Sequence, residues 1–381
     1  MKKIGVGLIG ASPLHPGWAT ATHLPAIQSL PDFELRAVGT SRRNSAIAAT
    51  NAFGVPAFDD PGRLITHPDV DLVVVAVNVP DHRALISAAL DAGKMVFSEW
   101  PLAKSSGEAS DLAARARASG VRTFIGLQAR FAPVVQQLRA LIEQGYVGEV
   151  LSTTLTGSGT MWGAQTDRRH AYLFDAASGV HTLSVGMMHA LDALNFVLGD
   201  FASVAAVSAV RRRSVRIIED GSSMPVSAAD QVAVAGALES GAVVSAFYRG
   251  DLAHGDNLRW TINGTEGDLL VTAAAGNLQT ADLKLSGARG DDVPLSAIEL
   301  PSMLDRSPPP AARGIAANVF FEYEALARDL RDGTKVVPDF NYAFERHRLL
   351  AAIERAAAIG VTQNLDPATH THIYRVAAGA N

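Results

Sequence analysis

A doubly wound α/β sheet followed by a larger α+β domain is the fold class this sequence predicts, and three observations carry it. The first 130 residues alternate short apolar or β-branched runs with helical patterns, which implies parallel strands joined by crossovers. From about residue 149 the pattern changes to longer alternating strands joined by hairpin signals. The length, 381 residues, exceeds what one hydrophobic core usually serves. We therefore divide the chain into a dinucleotide-type domain, 1–130, and a second domain, 131–381, with a large, mostly antiparallel sheet covered by helices on one face.

The elements follow in order. KIGVGLIG is a strand, 18–30 is helical, FELRAVGT is a strand and 41–53 is an alanine-rich helix. DLVVVAV (71–77) is a continuous β-branched run of the kind that a sheet buried on both faces requires. Helix 81–92, strand 94–100, helix 104–119 and strand 121–127 complete the first domain. In the second, hairpin turns are expected at Glu239-Ser240-Gly241 and near Asn263-Gly264. Helical stretches at 181–198, 315–333 and 340–359 are expected to cover one face of its sheet and leave the other open to self-association, as a homodimer or homotetramer; the proline-rich 300–314 is a loop.

Composition narrows the function classes. With 48% hydrophobic residues, 19% charged and a net charge of −5, nothing favours nucleic acid or an anionic membrane as partner, so a small molecule is expected. The absence of cysteine excludes disulfides and thiolate sites and suits a reducing compartment. The apolar run Ile4 to Ile9 is too short for most secretory signals, no stretch approaches the roughly 18 apolar residues of a membrane span, and we expect a cytoplasmic protein. The eleven histidines show no metal-ligand spacing, so no metal is expected.

IGVGLIGASPLHPGW, residues 4–18, contains a literal Gly-x-Gly-x-x-Gly, the fingerprint of dinucleotide-binding Rossmann sheets. The first glycine of that fingerprint must end the strand, whereas Gly5 and Gly7 lie inside it. The turn glycine is therefore Gly10, followed by Ala11 and by Ser12 where a second glycine is usual, and an insertion carrying His15 precedes the helix opened by Trp18. After strand two an acidic residue would bind a ribose 2′-hydroxyl, and arginine a 2′-phosphate. Here stand Ser41, Arg42 and Arg43, so NADP is the expected cofactor and NAD the alternative.

HLPAI (23–27), VNVPDH (77–82), SEWPLA (98–103) and HALDALNFVLG (189–199), in this order and spacing, resemble the glucose-fructose oxidoreductase, inositol dehydrogenase and MocA (Gfo/Idh/MocA) family. The Trp18 insertion, EWPLA and YLFDAASGV (172–180) resemble the branch containing the fungal galactose-regulon repressor. The resemblance implies an NAD(P)-dependent oxidoreductase acting on a sugar, polyol or related hydroxyl or carbonyl compound. It adds Val77, Asn78, Val79, His82, Glu99, Trp100, Pro101 and Gln128 to the expected cofactor-binding residues. It also implies two changes in the catalytic set: Trp100 stands where the family usually has lysine, and Val185 where it usually has aspartate.

His189 remains, with a side chain suited to taking a hydroxyl proton, and Tyr172 is its expected catalytic companion. Trp100, Gln128, Arg130, His181 and Asp192 are the expected substrate-binding residues. Arg130 is compatible with an acidic or carbonyl substrate and equally with a carboxylate of the protein. Two further functions are compatible with the resemblance: a dinucleotide-binding sensor or regulator without turnover, and an NAD-dependent glycoside hydrolase.

Overall fold

The structure, a computed structural model, describes residues 2–366. It forms two compact units: one holds the chain to Gln128 together with Ser307–Phe344, the other Ala129–Arg306 together with 345–366. A single cut at 130/131, as read from the sequence, thus misses the return of 307–344 to the first unit.

The first unit is built on six parallel strands: β1 (Ile4–Ile9), β2 (Phe33–Gly39), β3 (Ala57–Phe58), β4 (Leu72–Val75), β5 (Met95–Glu99) and β6 (Thr123–Gly126). Their order, β3-β2-β1-β4-β5-β6, is the doubly wound arrangement of two mononucleotide-binding halves. Every residue of β4 is buried, as its unbroken β-branched run requires. Gly5 and Gly7 are structural: a Cβ at Gly5 would lie 1.9 Å from the Asp69 carbonyl oxygen, and one at Gly7 2.7 Å from a Leu64 methyl. The short β3 and helix α3 (Pro61–Ile65) have too little periodicity to be read from sequence.

The other helices here are α1 (Leu24–Ser29), entered through a π-turn at Ala19–His23, α2 (Arg43–Phe53), α4 (Val79–Asp91) and α5 (Ser106–Ser119). The late helix α8 (Ala317–Asp332) joins them. It was expected on the second sheet. Instead the ring of its Tyr323 stacks on Phe97 at 5.3 Å, and Glu322 accepts a hydrogen bond from the Leu127 amide at 3.2 Å. Asp329 accepts from the amides of Val336 and Val337, each at 2.8 Å, which fixes the loop whose Pro338 carbonyl receives the Ile125 amide of edge strand β6. Helical periodicity shows that a face is buried but not against what.

The second unit centres on a nine-stranded sheet. Its main strands are β7 (Val150–Gly159), β9 (Phe201–Ala209), β12 (Gln231–Leu238), β13 (Val243–Gly250), β14 (Leu258–Gly264), β15 (Gly267–Ala273) and β16 (Lys284–Arg289). All its pairings are antiparallel except β7 with β13, which run parallel side by side in the middle. The β12–β13 hairpin closes at the expected turn with Gly241 at φ +92°, and β14–β15 closes over Thr265-Glu266, just beyond the expected position. A three-stranded sheet of β8 (Gln165–Thr166), β10 (Ser214–Ile217) and β11 (Ser223–Pro225) lies apart from it.

Burial alternates along β13: Val244, Ala246 and Tyr248 face the core, while Val243, Ser245 and Phe247 are exposed. One face of the sheet is therefore covered and the other open. Helix α7 (Met188–Leu198), entered through a second π-turn at Thr182–Met187, has its entry on the covered face, where Gly186 lies close to both Tyr248 and Trp162. Helix α6 (Pro133–Glu143) packs beside α7, and α9 (Phe340–Ile359) carries the boundary between the units within it. No helix among the described residues is long and apolar enough to cross a membrane.

Candidate functional site

The carboxyl ends of a doubly wound sheet are where its ligands bind. At the end of β1, Gly10 takes φ +108°, and a Cβ there would lie 2.3 Å from the Ala76 carbonyl oxygen, so both backbone angle and space require glycine. Ala11 is buried behind it. The Ser12 amide donates to the Thr20 hydroxyl at 3.1 Å, and the Ser12 hydroxyl accepts from the His15 amide at 3.4 Å. Serine at the second fingerprint position thus knits the inserted loop together, leaving the His15 side chain exposed and Trp18 half-buried.

After β2, Ser41, Arg42 and Arg43 are exposed at the start of α2. No side chain caps that helix, no acidic residue stands in its first turn, and among the described residues neither arginine has an ion-pair partner. After β4, Val77 is half-buried and Asn78 exposed; Asn78 occupies the N-cap of α4 without a side-chain capping bond. The start of α2 leaves amide donors suited to anionic oxygens, whereas in α4 Pro80 has no N–H and the Asp81 amide donates to the Asn78 carbonyl at 3.0 Å; with Gly10, the start of α2 fits the first unit to a dinucleotide. Val79 is buried. The buried His82 ring has Nε2 3.1 Å from the Val77 carbonyl and Nδ1 3.3 Å from that of Leu102, bracing the loops that follow β4 and β5. Burial lowers the pKa of this ring.

At the end of β5, Glu99 belongs to a buried chain that sequence reasoning missed. The Glu99 carboxylate lies 3.0 Å from His23 Nε2, and His23 Nδ1 lies 2.9 Å from the Tyr323 hydroxyl. Burial, with Glu99 and Glu322 nearby, raises the Tyr323 pKa well above its ordinary value. Tyr323 thus stays a neutral phenol against His23 Nδ1, while His23 Nε2 and Glu99 Oε1 lie close without the alignment of a hydrogen bond. Gly126 makes room, since a Cβ there would lie 2.4 Å from Glu99 Oε1. His23 lies within HLPAI, a motif visible in the sequence, but 300 residues separate it from Tyr323 and nothing local announces that partner. Trp100 is 5% exposed, Pro101 is buried beside it, and Gln128 is buried with its Oε1 unpartnered.

In the second unit the expected substrate-binding pair of Arg130 and Asp192 is a closed ion pair. Arg130 Nε donates to Asp192 Oδ2 at 3.1 Å and Nη2 to Oδ1 at 2.5 Å, with the residues 1% and 0% exposed. The guanidinium also lies over the Phe196 ring at 5.1 Å. Of the two roles open to Arg130, the protein carboxylate is realised, and neither residue presents a charge to a substrate. His189, one turn before Asp192 on α7, is 3% exposed.

His181 caps the π-turn: its Nδ1 accepts from the Ser184 amide at 3.4 Å, and its own amide donates to the Ser184 hydroxyl at 2.9 Å. Burial lowers its pKa from 6.5 to about 4. Between those values the unfolded chain holds a proton that the folded one does not, so stability falls as pH drops through this window and is fully present above it. The gap corresponds to about 3 kcal/mol. Glu354, whose Oε1 is 4.0 Å away and whose pKa burial raises, titrates in the opposite sense. His181→Asn keeps a capping acceptor and leaves Glu354 in place. Urea unfolding between pH 6.5 and 4 is expected to show a slope shallower by about one proton in the variant; parallel curves would exclude His181 as the acid-sensitive group.

Tyr172, half-buried, packs with Val180 and Val185 against a cluster of Trp162, Leu173, Phe174 and Val215. Burial raises the Tyr172 pKa, opposed by the charge of Arg169. Trp162, which drew no notice in the sequence, is 4% exposed and lies where Gly159 leaves no Cβ in its way. Among the described residues no group of three or more His, Asp or Glu side chains could hold a metal ion.

Two family models match this chain: "Oxidoreductase family, NAD-binding Rossmann fold" over residues 4–127 and "Gal80p, C-terminal domain" over 133–273. Residues 4–127 thus form a domain of the NAD-binding Gfo/Idh/MocA type, and 133–273 one of the Gal80p C-terminal type. Among its relatives, the dehydrogenase AclE of Aspergillus oryzae is 34% identical over 212 residues, 54% of this chain and 57% of that protein. The galactose/lactose metabolism regulatory protein GAL80 of Saccharomyces cerevisiae is 28% identical over 319 residues, 77% of this chain and 72% of that protein. A crystal structure of a Gal80p super-repressor mutant from the same yeast superposes with a TM-score of 0.85 over 95% of this chain and 98% of that one, at 23% identity. Levoglucosan dehydrogenase in complex with NADH and levoglucosan gives 0.81 over 96% and 100%, also at 23%.

Proposed function

We propose that this protein is an NAD(P)-dependent oxidoreductase that moves a hydride between a nicotinamide and a sugar, polyol or related hydroxyl or carbonyl compound. The observation that carries the reading is the first-unit cradle: Gly10 held at φ +108°, with the uncapped start of α2 after the neighbouring strand β2. A dinucleotide bound there supplies the hydride donor or acceptor. His189 takes or returns the hydroxyl proton, Tyr172 assists, and Trp100 excludes water without transferring a proton. Ser41, Arg42 and Arg43 favour the 2′-phosphate of NADP, with NAD as the alternative; a relative's structure holds NADH. Self-association follows the open sheet face, where Phe247 is 38% exposed; a monomer by sedimentation at micromolar concentration would overturn that part. The cysteine-free chain suits the cytoplasm.

The test is a calorimetric and 340 nm absorbance screen of NADP⁺ and NAD⁺ against sugars and polyols. NADP⁺ is expected to bind more tightly. Replacing both arginines by serine should weaken it at least tenfold, since one lost charge-assisted bond is worth about 1.5–3 kcal/mol, while NAD⁺ changes less than twofold. Equal or tighter NAD⁺ binding to the unaltered protein would sink the NADP preference.

A second reading is favoured by the match of 133–273 to the Gal80p C-terminal domain, together with Trp100 and Val185 where the family resemblance implies lysine and aspartate: a dinucleotide-binding regulator without turnover. Tight dinucleotide binding with no turnover across the whole panel would select it.

A further inference from the structure

We propose that Glu99, His23 and Tyr323 make the first unit sense the charge of a bound nicotinamide: with the His23 ring neutral, the Glu99 carboxylate favours the cationic, oxidised dinucleotide, and a proton on His23 cancels that preference. The proposal rests on the dinucleotide reading of the first unit and not on turnover. The first support is place. In the strand order β3-β2-β1-β4-β5-β6 each half of the sheet takes one mononucleotide at its carboxyl ends. The contacts proposed for Arg42 and Arg43 follow β2 and give the adenosine end to the half β1 to β3, which leaves β4 to β6 for the nicotinamide. Glu99 is the last residue of β5, the middle strand of that half. The second support is enclosure. His23 and Tyr323 are 0% exposed, and Glu99, at 9%, is the member through which the three reach the surface. A charge gained at His23 is therefore felt at Glu99 with little screening.

The third support is an unfinished contact. His23 Nδ1 has the Tyr323 hydroxyl at 2.9 Å, but Nε2 and Glu99 Oε1, 3.0 Å apart, are both buried without a hydrogen bond. Such atoms are uncommon in folded proteins, and a buried carboxylate beside an imidazole adds little to stability, so a titratable cluster at the ligand end of a sheet points to function. Histidine is the side chain that changes charge between about pH 5 and 8. Neutral, it leaves the Glu99 charge standing; protonated, it completes an ion pair. Of the elements packed against the π-turn Ala19–His23, α1 carries no titratable side chain, and α8 contributes the neutral Tyr323 with Glu322 beside it. Arg313, before the turn Gly314–Ala316, gives its Nε–H to the Pro308 carbonyl at 3.1 Å. The buried His82 also feels the charge of Glu99.

Calorimetry of the full-length protein with NADP⁺ and NADPH, and with NAD⁺ and NADH, between about pH 6 and 8.5 tests this. The ratio of the reduced to the oxidised Kd is expected to rise about tenfold over that range, within the span usual for coupled sites. The 2′-phosphate titrates alike in both redox forms and cancels in the ratio. By reciprocity, near neutral pH the oxidised form expels more protons on binding than the reduced form, read from the change of binding enthalpy with the ionisation enthalpy of the buffer. His23→Gln, which stays neutral, should hold the ratio at its high-pH value throughout. Glu99→Gln should hold it at the low-pH value, and serves where the His23 variant does not fold. A ratio independent of pH in the unaltered protein, or a slope that survives in His23→Gln and so belongs to another group such as His82, overturns charge sensing and leaves dinucleotide binding in place. The expected slope without turnover on any substrate supports charge sensing and sinks the oxidoreductase reading alone. Binding of none of the four dinucleotides overturns both.

Discussion

Replacing Arg130 by methionine is expected to cost about 3–5 kcal/mol of stability, because the buried Asp192 carboxylate then loses both guanidinium hydrogen bonds and the opposite charge. The pair is bidentate, and neither residue is more than 1% exposed. Asp192→Leu should be comparably damaging, for it strands the guanidinium. The double variant Arg130→Met/Asp192→Leu is expected to recover most of the loss, since apolar side chains of similar volume can replace a buried ion pair at little net cost. Urea unfolding of the two single variants and the double variant measures the coupling. Losses below about 1 kcal/mol in both single variants would show that the pair is solvated in solution. A substrate-binding arginine would behave differently, with substrate affinity falling and stability unchanged.

The second large effect is expected at His189. As the proposed acid-base group it should lower kcat/KM by 10²–10⁴-fold when replaced by glutamine, the usual range for loss of a proton-transfer residue. Glutamine is used because His189 is 3% exposed and alanine would add a cavity penalty to the kinetic one. Dinucleotide affinity, which belongs to the first unit, should stay within about twofold; this separates a lost chemical step from a disturbed fold. A variant of His189 with nearly full activity would move the acid-base role to Tyr172 or to another group. An unaltered protein without measurable turnover would bring the regulator reading forward.

The first unit was legible because its signals are local. The β-branched run 72–75, the glycine that must end β1 and the helical periods between strands each read out a short-range constraint, and the six-stranded parallel sheet follows from them. Position within the strand also separated Gly10, held at φ +108°, from the literal motif glycines Gly5 and Gly7, which lie against Asp69 and Leu64. What stayed hidden are partnerships between residues far apart in the chain. Arg130 and Asp192 are 62 residues apart, and sequence could only leave the arginine's partner open. Tyr323 reaches His23 across 300 residues, on a helix whose periodicity announced a buried face but not its neighbour. His82 shows the same limit, since its place after the buried strand β4 was readable but its engagement by two carbonyls was not.

The sequence by itself determined the main strands and helices of the first unit, their order and the family resemblance, because periodicity, turn chemistry and motif spacing are properties of neighbouring residues. Only the tertiary structure decided which charges remain available: Arg42 and Arg43 stay exposed, while Arg130 is neutralised and His181 becomes a helix cap. Those outcomes depend on burial and on partners brought close by folding, since the free energy of a charge is set by what surrounds it in space.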